Sequence, residues 1–561
     1  MPIYIGIGID VGMSITSSGV GVVINLVSSG DIIYRRRRQG GILYIDFSDD
    51  GGATWELNIA SFFLNEDNII ITIDNNPVGY RDLVRNGIYV IDQLIDGGSG
   101  GWDIEGTDWE NIYSTQPPWI AFSDSFGTSA ANTAYENSAI INALVADSSY
   151  TKIVIGNSAT DTYLISQPIV PDNIEIQYNC ILKMMDSVTD PLAANILVDA
   201  TTFTATDATK FHVGEFVAVT DDGQLLTYGK LRGWGGKITD ITGNVITLDT
   251  VAPYNYTAAS NGVIATLQSV ILVDEGSNVI IDQAGGYING NKAGQSLIHP
   301  TYKTTGVVEG YTQACGISVF KSSYITITDN VVVRNASMHG ISFSSESTVD
   351  LNQYITIGAV HVYDSSEKGM HFKWTAHGTL GNAVVDGCTW EDGIIFYSTN
   401  TDWVVGDVTT INCGRSGFIW NAASSGLTFS SVTTSGCTDF GFDCASKNVI
   451  GDSVITSDRV RFNQTSPTGG GCTNVVINSI AITGSISAPT TPVVWLYGGI
   501  DGVTIGSLTL NGCTGIGIRA SVLSALYPQN VVVNSGGIYT NTGDLTDIQV
   551  GSDVTLTGDF T

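Results

Sequence analysis

Gly316-Ile317-Ser318-Val319 and Gly340-Ile341-Ser342-Phe343 are two copies of one pattern, a glycine followed by an apolar–x–apolar triplet. The same pattern begins four more times, at Gly369, Gly393, Gly417 and Gly441. The steps between these six register glycines are 24, 29, 24, 24 and 24 residues. A fixed step in this range predicts one supersecondary unit that is stacked on itself as a solenoid.

The alternation inside each unit predicts which side chains form the core. The residues one and three positions after each glycine are apolar, and the residue between them varies. Because side chains alternate faces along a strand, we expect the apolar pair inside and the middle residue outside. A unit of this length holds three short strands and three turns, so the predicted fold class is all-β, a parallel β-helix.

The composition agrees with a β-rich chain and excludes some functions. Only 14% of the residues are charged, 65 are glycine, and the net charge is −31. Such an acidic chain is not expected to bind nucleic acid. We find no run of about 18 apolar residues, so no membrane span is expected. The N-terminus lacks the basic region of a signal peptide.

The eight cysteines give no sign of a metal site. Neither a CxxC nor a Cys/His ligand spacing is present, so we expect no metal and no cofactor. Four cysteines come four or five residues before a glycine that marks the repeat: Cys388, Cys413, Cys437 and Cys513. We predict that these are stacked, buried, reduced thiols that behave as small apolar side chains.

The repeat divides the chain into four predicted regions. Residues 1–118 form a separate N-terminal β domain, and 119–198 hold a capping helix (from 133 to 146) and the first coils. Residues 199–268 form a small inserted β-subdomain, and 269–561 form the main β-helix and the C-terminal strands. In the first region, 32–47 predicts a hairpin, and Ser48 to Trp55 resembles the Asp-box turn. Arg35 to Arg38 is either a solvated strand face or a contact for an acidic protein.

Two further segments resemble a known family. After the candidate helix come Lys152-Ile153-Val154-Ile155, Tyr163-Leu164-Ile165 and Asn173-Ile174-Glu175-Ile176. This order resembles the N-terminal entry of phage tailspikes and related pectate-lyase-like proteins. Gly285-Gly286-Tyr287-Ile288-Asn289-Gly290-Asn291-Lys292 resembles the family's G-G-x-I-D-G-N motif, with Asn289 in place of the usual Asp. The resemblance implies a right-handed parallel β-helix.

The resemblance also implies a place and a set of partners. It implies a homotrimer on a phage tail, made in the host cytoplasm, whose N-terminal domain attaches to tail or baseplate proteins. The β-helix would then reach bacterial surface polysaccharide. We carry over no catalytic motif, so three functions stay open: a tailspike that hydrolyses or eliminates polysaccharide, a non-catalytic receptor-binding or structural tail protein, and a secreted polysaccharide lyase.

The register predicts where a glycan site could lie. Two residues before successive register glycines stand Glu367, Glu391, Arg415 and Asp439. If the turns are alike, these side chains stack along one edge about 5 Å apart, so Glu367 and Glu391 have the spacing of a retaining glycosidase pair. Asp439, the third candidate catalytic residue, lies two coils beyond Glu391 and about 10 Å from it, at or just beyond the upper end of the spacing of an inverting pair. Arg415, between them, is predicted to hold a carboxylate or to bind a sugar acid.

The adjoining outward positions complete the predicted strip. They are the candidate sugar-binding residues His371, Lys373, Tyr397, Asn421 and Asp443. We expect the five extra residues of the 29-residue unit between His361 and Glu367, because added loop length on a solenoid often marks the binding face. The alternatives are that these are ordinary solvated turn residues, that Asp364, Asp386 or Asp392 act instead, or that the site lies between subunits.

Overall fold

The computed structural model describes 120–225, 231–296, 302–304, 314–345, 349–421, 423–463, 472–483, 492–512, 516–521, 526–539, 546–548, 552–558 and 560, and the backbone of eight strands before residue 94. The chain divides into two compact units, residues 1–121 and 122–561. Within the described residues, no helix is both long and apolar enough to span a bilayer.

The first unit contains two small sheets. Its strands are Ser14–Ser18, Gly21–Leu26, Ile33–Gln39, Ile42–Ser48, Glu56–Phe63, Ile69–Ile73, Asn76–Pro77 and Asp92–Gln93. Ile33–Gln39 pairs antiparallel with Ile42–Ser48, which forms the predicted hairpin. Ile42–Ser48 also pairs antiparallel with Glu56–Phe63, while the Asp-box residues 49–55 that join them lie outside the described residues.

The second unit is a parallel β-solenoid of about 14 turns, as the register glycines predict. Each full coil contributes one strand to each of three sheets, here named A, B and C in chain order. Right-handed coiling, the usual hand for connections between parallel strands, stays a prediction.

Sheet A contains the apolar triplets of the repeat. Its strands are Ile271–Asp274, Ile317–Phe320, Ile341–Ser344, the starts of Met370–Leu380 and Ile394–Ile411, Phe418–Trp420, Phe440–Cys444, Arg459–Asn463, Val494–Tyr497, Ile518–Ser521 and Thr546–Ile548.

Sheet B comes next along each coil. It contains Lys152–Ile155, the first halves of Glu175–Met184 and Ser277–Asn289, Ser323–Ile327, Asn352–Ile357, the end of Met370–Leu380, the middle of Ile394–Ile411, the first halves of Ser425–Ser435, Lys447–Thr456, Thr473–Thr483 and Asp501–Asn511, Gln529–Val533 and Val554–Leu556.

Sheet C closes each coil. It contains Thr162–Ile165, Val331–Arg334, Val360–Tyr363, Ala383–Asp386, Gly536–Tyr539 and the ends of the long strands that begin in sheet B.

The triplet residues form the core, because their inward side chains repeat at the same height in each coil. The Phe343 and Phe372 rings stack at 5.6 Å with 13° between their planes, and Phe372 and Phe396 stack at 4.5 Å. Both contacts join adjacent coils. Each register glycine lies against the next coil, and a Cβ at Gly369 would lie 2.7 Å from the carbonyl oxygen of Gly393. The glycine therefore allows successive turns to approach closely.

Several coils depart from the regular step, and two of them bear on the repeat region. The extra residues of the 29-residue unit lie between sheets A and B, since Ile341 and its sheet B counterpart Ile355 are 14 residues apart, whereas Ile317 and Ile325 are 8 apart. The prediction that they swell the turn between His361 and Glu367 was wrong. A later step is only 18 residues, because Phe442 pairs with Val460.

The capping helix and the insert are both present. The helix spans Ala134–Ala146 and begins with a capping box between Thr133 and Glu136. The seven-stranded inserted sheet contains Thr189–Pro191, Thr202–Thr204, Phe216–Leu225, Leu231–Thr242, Val245–Leu248, Val263–Thr266 and Tyr302–Thr304. Short 3₁₀ turns are at Ser123–Phe126, Ala208–Lys210, Ala258–Ser260 and Lys292–Gly294, and a further strand is Ile120–Phe122.

The repeat cysteines behave as predicted where they are described. Cys388, Cys413 and Cys437 are buried and are not in disulfides. The pKa of the Cys413 thiol is raised, chiefly by its hydrogen bond with Cys388 and also by burial. These thiols are thus packing groups of the turn, and Cys513 lies outside the described residues.

Candidate functional site

Backbone hydrogen bonds stack the predicted edge residues. The amide of Glu391 donates to the carbonyl of Glu367 at 3.2 Å, and Arg415 donates to Glu391 at 2.9 Å. Asp439 donates in turn to Arg415 at 2.7 Å. Glu367, Glu391, Arg415 and Asp439 therefore form one column, here called the edge column, where each coil passes from sheet C to sheet A.

A second column, directly before the register glycines, supplies counter-ions that the sequence analysis did not predict. Three of its members reach the edge residue of the next coil. His339 Nδ1 lies 3.5 Å from Glu367, and Lys368 Nζ lies 2.6 Å from Glu391. Asp392 accepts a 2.8 Å hydrogen bond from Arg415 Nε. In the sequence, the available signal was an ionisable residue directly before three successive register glycines, namely His339, Lys368 and Asp392.

Lys368 is shared by the two glutamates. Its ammonium lies 2.6 Å from Glu391 Oε2 and 3.5 Å from Glu367 Oε1. Those two oxygens are therefore separated by at most the sum of the distances, about 6 Å. This limit is close to the separation of about 5–5.5 Å in retaining glycosidases. Both side chains are largely buried, so the ammonium compensates two charges that would otherwise repel each other.

Burial and charge together set the titration of this cluster. Burial is the largest influence on Lys368 and lowers its pKa, but the attraction of Glu367 and Glu391 outweighs it and the net pKa is raised. Burial raises the pKa of Asp392, against the opposing hydrogen bond from Arg415. Lys368 thus stays protonated at neutral pH and holds the glutamates in place.

Three of the predicted sugar-binding residues are buried. His371 is 4% exposed and lies 3.3 Å from the Ser342 hydroxyl, and burial, His339 and Lys368 lower its pKa well below the usual value. Lys373 is also buried, with its ammonium 4.0 Å from the centre of the Trp374 ring. Asp443 accepts hydrogen bonds from Arg461 and Asn463. These three side chains are therefore less accessible to a ligand than the predicted outward strip requires.

Other predicted residues are accessible. Tyr397 is 45% exposed at the end of its sheet A strand, and the side chains of Arg415 and Asp439 are about half exposed. Asp439 pairs with Arg459 at 3.2 Å. Asn421 is partly buried and donates its backbone amide to Phe396.

Trp390 is an accessible residue that the prediction missed. It directly precedes Glu391 and is 49% exposed. Its position in the turn gave no periodic signal, because the other coils have no aromatic residue there.

The arrangement suits recognition of a polyhydroxyl ligand. Carboxylates accept hydrogen bonds from hydroxyl groups, the arginine donates several in a plane, and exposed aromatic rings cover apolar C–H faces. Among the described residues, no group of three or more His, Cys, Asp or Glu side chains is arranged to hold a metal ion.

Comparisons with known proteins give only distant similarities. No protein-family model matches the chain, and no curated protein matches it. Three solved structures that align with 78% of the chain are the tailspike gp49 of Pseudomonas phage LKA1, the A-module of the Azotobacter vinelandii mannuronan C-5 epimerase AlgE4, and the gp54 tailspike of Acinetobacter baumannii bacteriophage AP22 in complex with capsular saccharide.

Identity to these three structures is 11%, 12% and 12%, with TM-scores of 0.25, 0.38 and 0.20. The alignments cover 79%, 100% and 76% of those chains. At these values none of them supports an argument about this chain. The fold assignment rests on the chain's own strand pairing.

Proposed function

We propose that this chain is a phage tail protein of the tailspike kind that binds bacterial surface polysaccharide along the edge column. The observation that carries the proposal is the inter-coil pairing of Lys368 with Glu367 and Glu391, with the exposed Trp390 directly before Glu391 in the chain. It fixes hydrogen-bonding and stacking groups on a rigid solenoid, as a preorganised sugar site requires. The resemblance in the first coils supports the virion setting.

Binding is tested on a panel of purified capsules and O-antigens. The wild-type chain is expected to bind at least one of them, and Trp390→Ala is expected to lose at least tenfold in affinity with an unchanged melting temperature. Val476→Ala is a matched control, because Val476 is 40% exposed on sheet B, away from the edge column. Failure of the wild-type chain to bind any polysaccharide of susceptible hosts would refute the proposal.

Hydrolysis is a second candidate, favoured by the separation of at most about 6 Å between Glu367 and Glu391. Chain length of the bound polysaccharide is followed with wild type, Glu367→Gln and Glu391→Gln. Shortening by wild type alone, with binding retained in both variants, identifies a depolymerase. An unchanged chain length with wild type leaves a binding protein, and a rise in ultraviolet absorbance indicates a lyase.

The proposal extends to assembly. The first unit attaches the protein to tail or baseplate proteins, and the solenoids associate as a homotrimer in the virion. Light scattering coupled to size-exclusion chromatography tests this state for the full chain. A mass of three times 59.3 kDa is expected, and a monomer at all concentrations would refute the trimer.

A further inference from the structure

The corner where each coil passes from sheet A to sheet B has an unusual backbone. In ten successive coils, the residue at one equivalent position of sheet B has a positive φ, between 51° and 75°. These residues, here called the corner column, are Asn278, Tyr324, Tyr354, His377, Asp402, Gly426, Asn448, Asn474, Gly502 and Asn530.

Most of the corner column suits this conformation, but three consecutive members do not. Seven are Asn, Asp or Gly, the residues that tolerate the left-handed region. The other three are Tyr324, Tyr354 and His377, and Trp374, three residues before His377, has a φ of 54°. Among the described residues, these four are the aromatic residues with positive φ. Bulky residues persist in such conformations mainly at functional sites.

Three of these side chains, those of Tyr324, Tyr354 and His377, stack into one surface, here called the corner patch. The Tyr324 and Tyr354 rings stack at 4.8 Å with 10° between their planes, and Tyr354 and His377 stack at 5.3 Å. Tyr324 is 55% exposed and Tyr354 is 47% exposed. Burial of these rings therefore does not explain why aromatic residues replace asparagine here.

The irregular coil adds its extra residues at the same corner. Ile341 and Ile355 are 14 residues apart, against 8 for Met370 and Gly378 in the next coil. Tyr354 directly precedes Ile355, the sheet B residue at the end of the 14-residue spacing. Insertions in solenoids concentrate on the binding face, so a second, independent feature marks this corner.

The chemistry of the corner patch points to a sugar polymer. Two residues after each of the three rings come Thr326, Thr356 and Thr379, which are uncharged, aligned in register on sheet B and not buried. Mixed ring and hydrogen-bonding groups recognise saccharides, whose faces are apolar and whose edges are hydroxyls.

We propose that the corner patch is a second contact surface for the bacterial polysaccharide, separate from the edge column. This inference rests on the proposed function. A long polysaccharide occupies both surfaces of one solenoid, and the second contact raises its affinity above that of a short fragment through effective concentration. An oligosaccharide bound at the edge column alone does not require the patch.

The test uses the residue that the corner column itself prefers. The double variant Tyr324→Asn, Tyr354→Asn relieves two strained positions, so its melting temperature is expected to equal or exceed that of wild type. Its affinity for the long polysaccharide is expected to fall at least tenfold, while its affinity for a short fragment of the same glycan stays unchanged. The reverse variant, Asn474→Tyr, is expected to lower the melting temperature without any gain in affinity.

The outcomes separate this inference from the proposed function. If the double variant loses melting temperature and keeps full affinity for the long polysaccharide, the stack is structural and the inference is wrong. If it loses affinity for long and short glycans equally, the patch is not a separate contact and the inference is again wrong. If wild type binds no polysaccharide at all, the proposed function itself has failed.

Discussion

Single residues of the edge column are held by partners in the neighbouring coil, and Arg415 shows how strongly. Its guanidinium binds the Asp392 carboxylate, which has no solvent exposure. Arg415→Ala removes the arginine that pairs with this buried carboxylate and is expected to cost about 3 kcal/mol of unfolding free energy. Urea unfolding followed by circular dichroism measures the loss.

The control for this prediction removes both charges. Asp392→Asn combined with Arg415→Ala is expected to recover more than half of the loss, because the remaining amide is neutral. Asp439→Ala, which changes a half-exposed residue of the same column, is expected to cost less than about 0.5 kcal/mol. If Arg415→Ala were as stable as wild type, the buried Asp392 carboxylate would not depend on its pairing with Arg415.

Residue spacing predicted the positions of the edge column but not its environment. The backbone stack of Glu367, Glu391 and Arg415 follows from the constant step between register glycines. The burial of His371 and Asp443 does not follow from alternation, because alternation indicates the face of a strand and not what packs on that face. The pairing of Lys368 with two glutamates could be predicted only by comparing, from coil to coil, the residues that directly precede the register glycines.

Within a strand of sheet A, substitutions on the outward face are predicted to preserve stability, whereas substitutions on the inward face are predicted to lower it. Phe396 faces inward, with its ring 4.5 Å from those of Phe372 and Trp420. Phe396→Ala is expected to cost about 3–5 kcal/mol, since it leaves a cavity between coils. Tyr397→Ala, one residue along the same strand, is expected to keep the wild-type melting temperature and to weaken glycan binding. Equal melting temperatures for both variants would contradict the assigned orientation.

The contact between the capping helix and the insert contains a carboxyl that responds to pH. Glu215 is fully buried, accepts a hydrogen bond from the His212 amide and bonds Tyr135 of the helix, and burial raises its pKa to about 7. Because this folded-state pKa exceeds the ordinary value of 4.5, the contribution of Glu215 to folding stability is complete below pH 4.5 and is lost as the pH rises through 7. The loss amounts to about 3 kcal/mol.

Glu215→Gln removes that titration. Relative to wild type, the variant is expected to gain stability between about pH 4.5 and pH 7 and to level off above pH 7, as thermal melts across the range would show. Glu136→Gln is the contrasting control, because the hydrogen bonds from Thr133 lower the pKa of the exposed Glu136 carboxyl. Its stabilising effect is present at neutral pH and is lost in acid. A constant difference between Glu215→Gln and wild type would contradict the raised pKa.

Elements of the repeat were easier to predict than its interruptions. The apolar triplets predicted the sheet A strands, since both inward positions recur in every unit. The 18-residue step from Phe442 to Val460 has no register glycine before it, so its strand could not be found from the pattern. The 29-residue unit was recognised, but the placement of its extra residues depends on pairing in sheet B.

For the whole molecule, the net charge of −31 acts on any charged polymer that approaches it. An anionic polysaccharide is repelled at long range, whereas the contacts at the edge column and the corner patch are short-ranged. Raising ionic strength from about 0.01 M to about 0.15 M shortens the screening length from about 30 Å to about 8 Å. Association of an anionic glycan is therefore expected to become faster and tighter with added salt, while that of a neutral glycan stays constant. Association rates measured by biolayer interferometry on both polymers test this expectation. Weaker binding of the anionic polymer at higher salt would mean that Arg415 and Lys368 dominate recognition and that the overall charge does not.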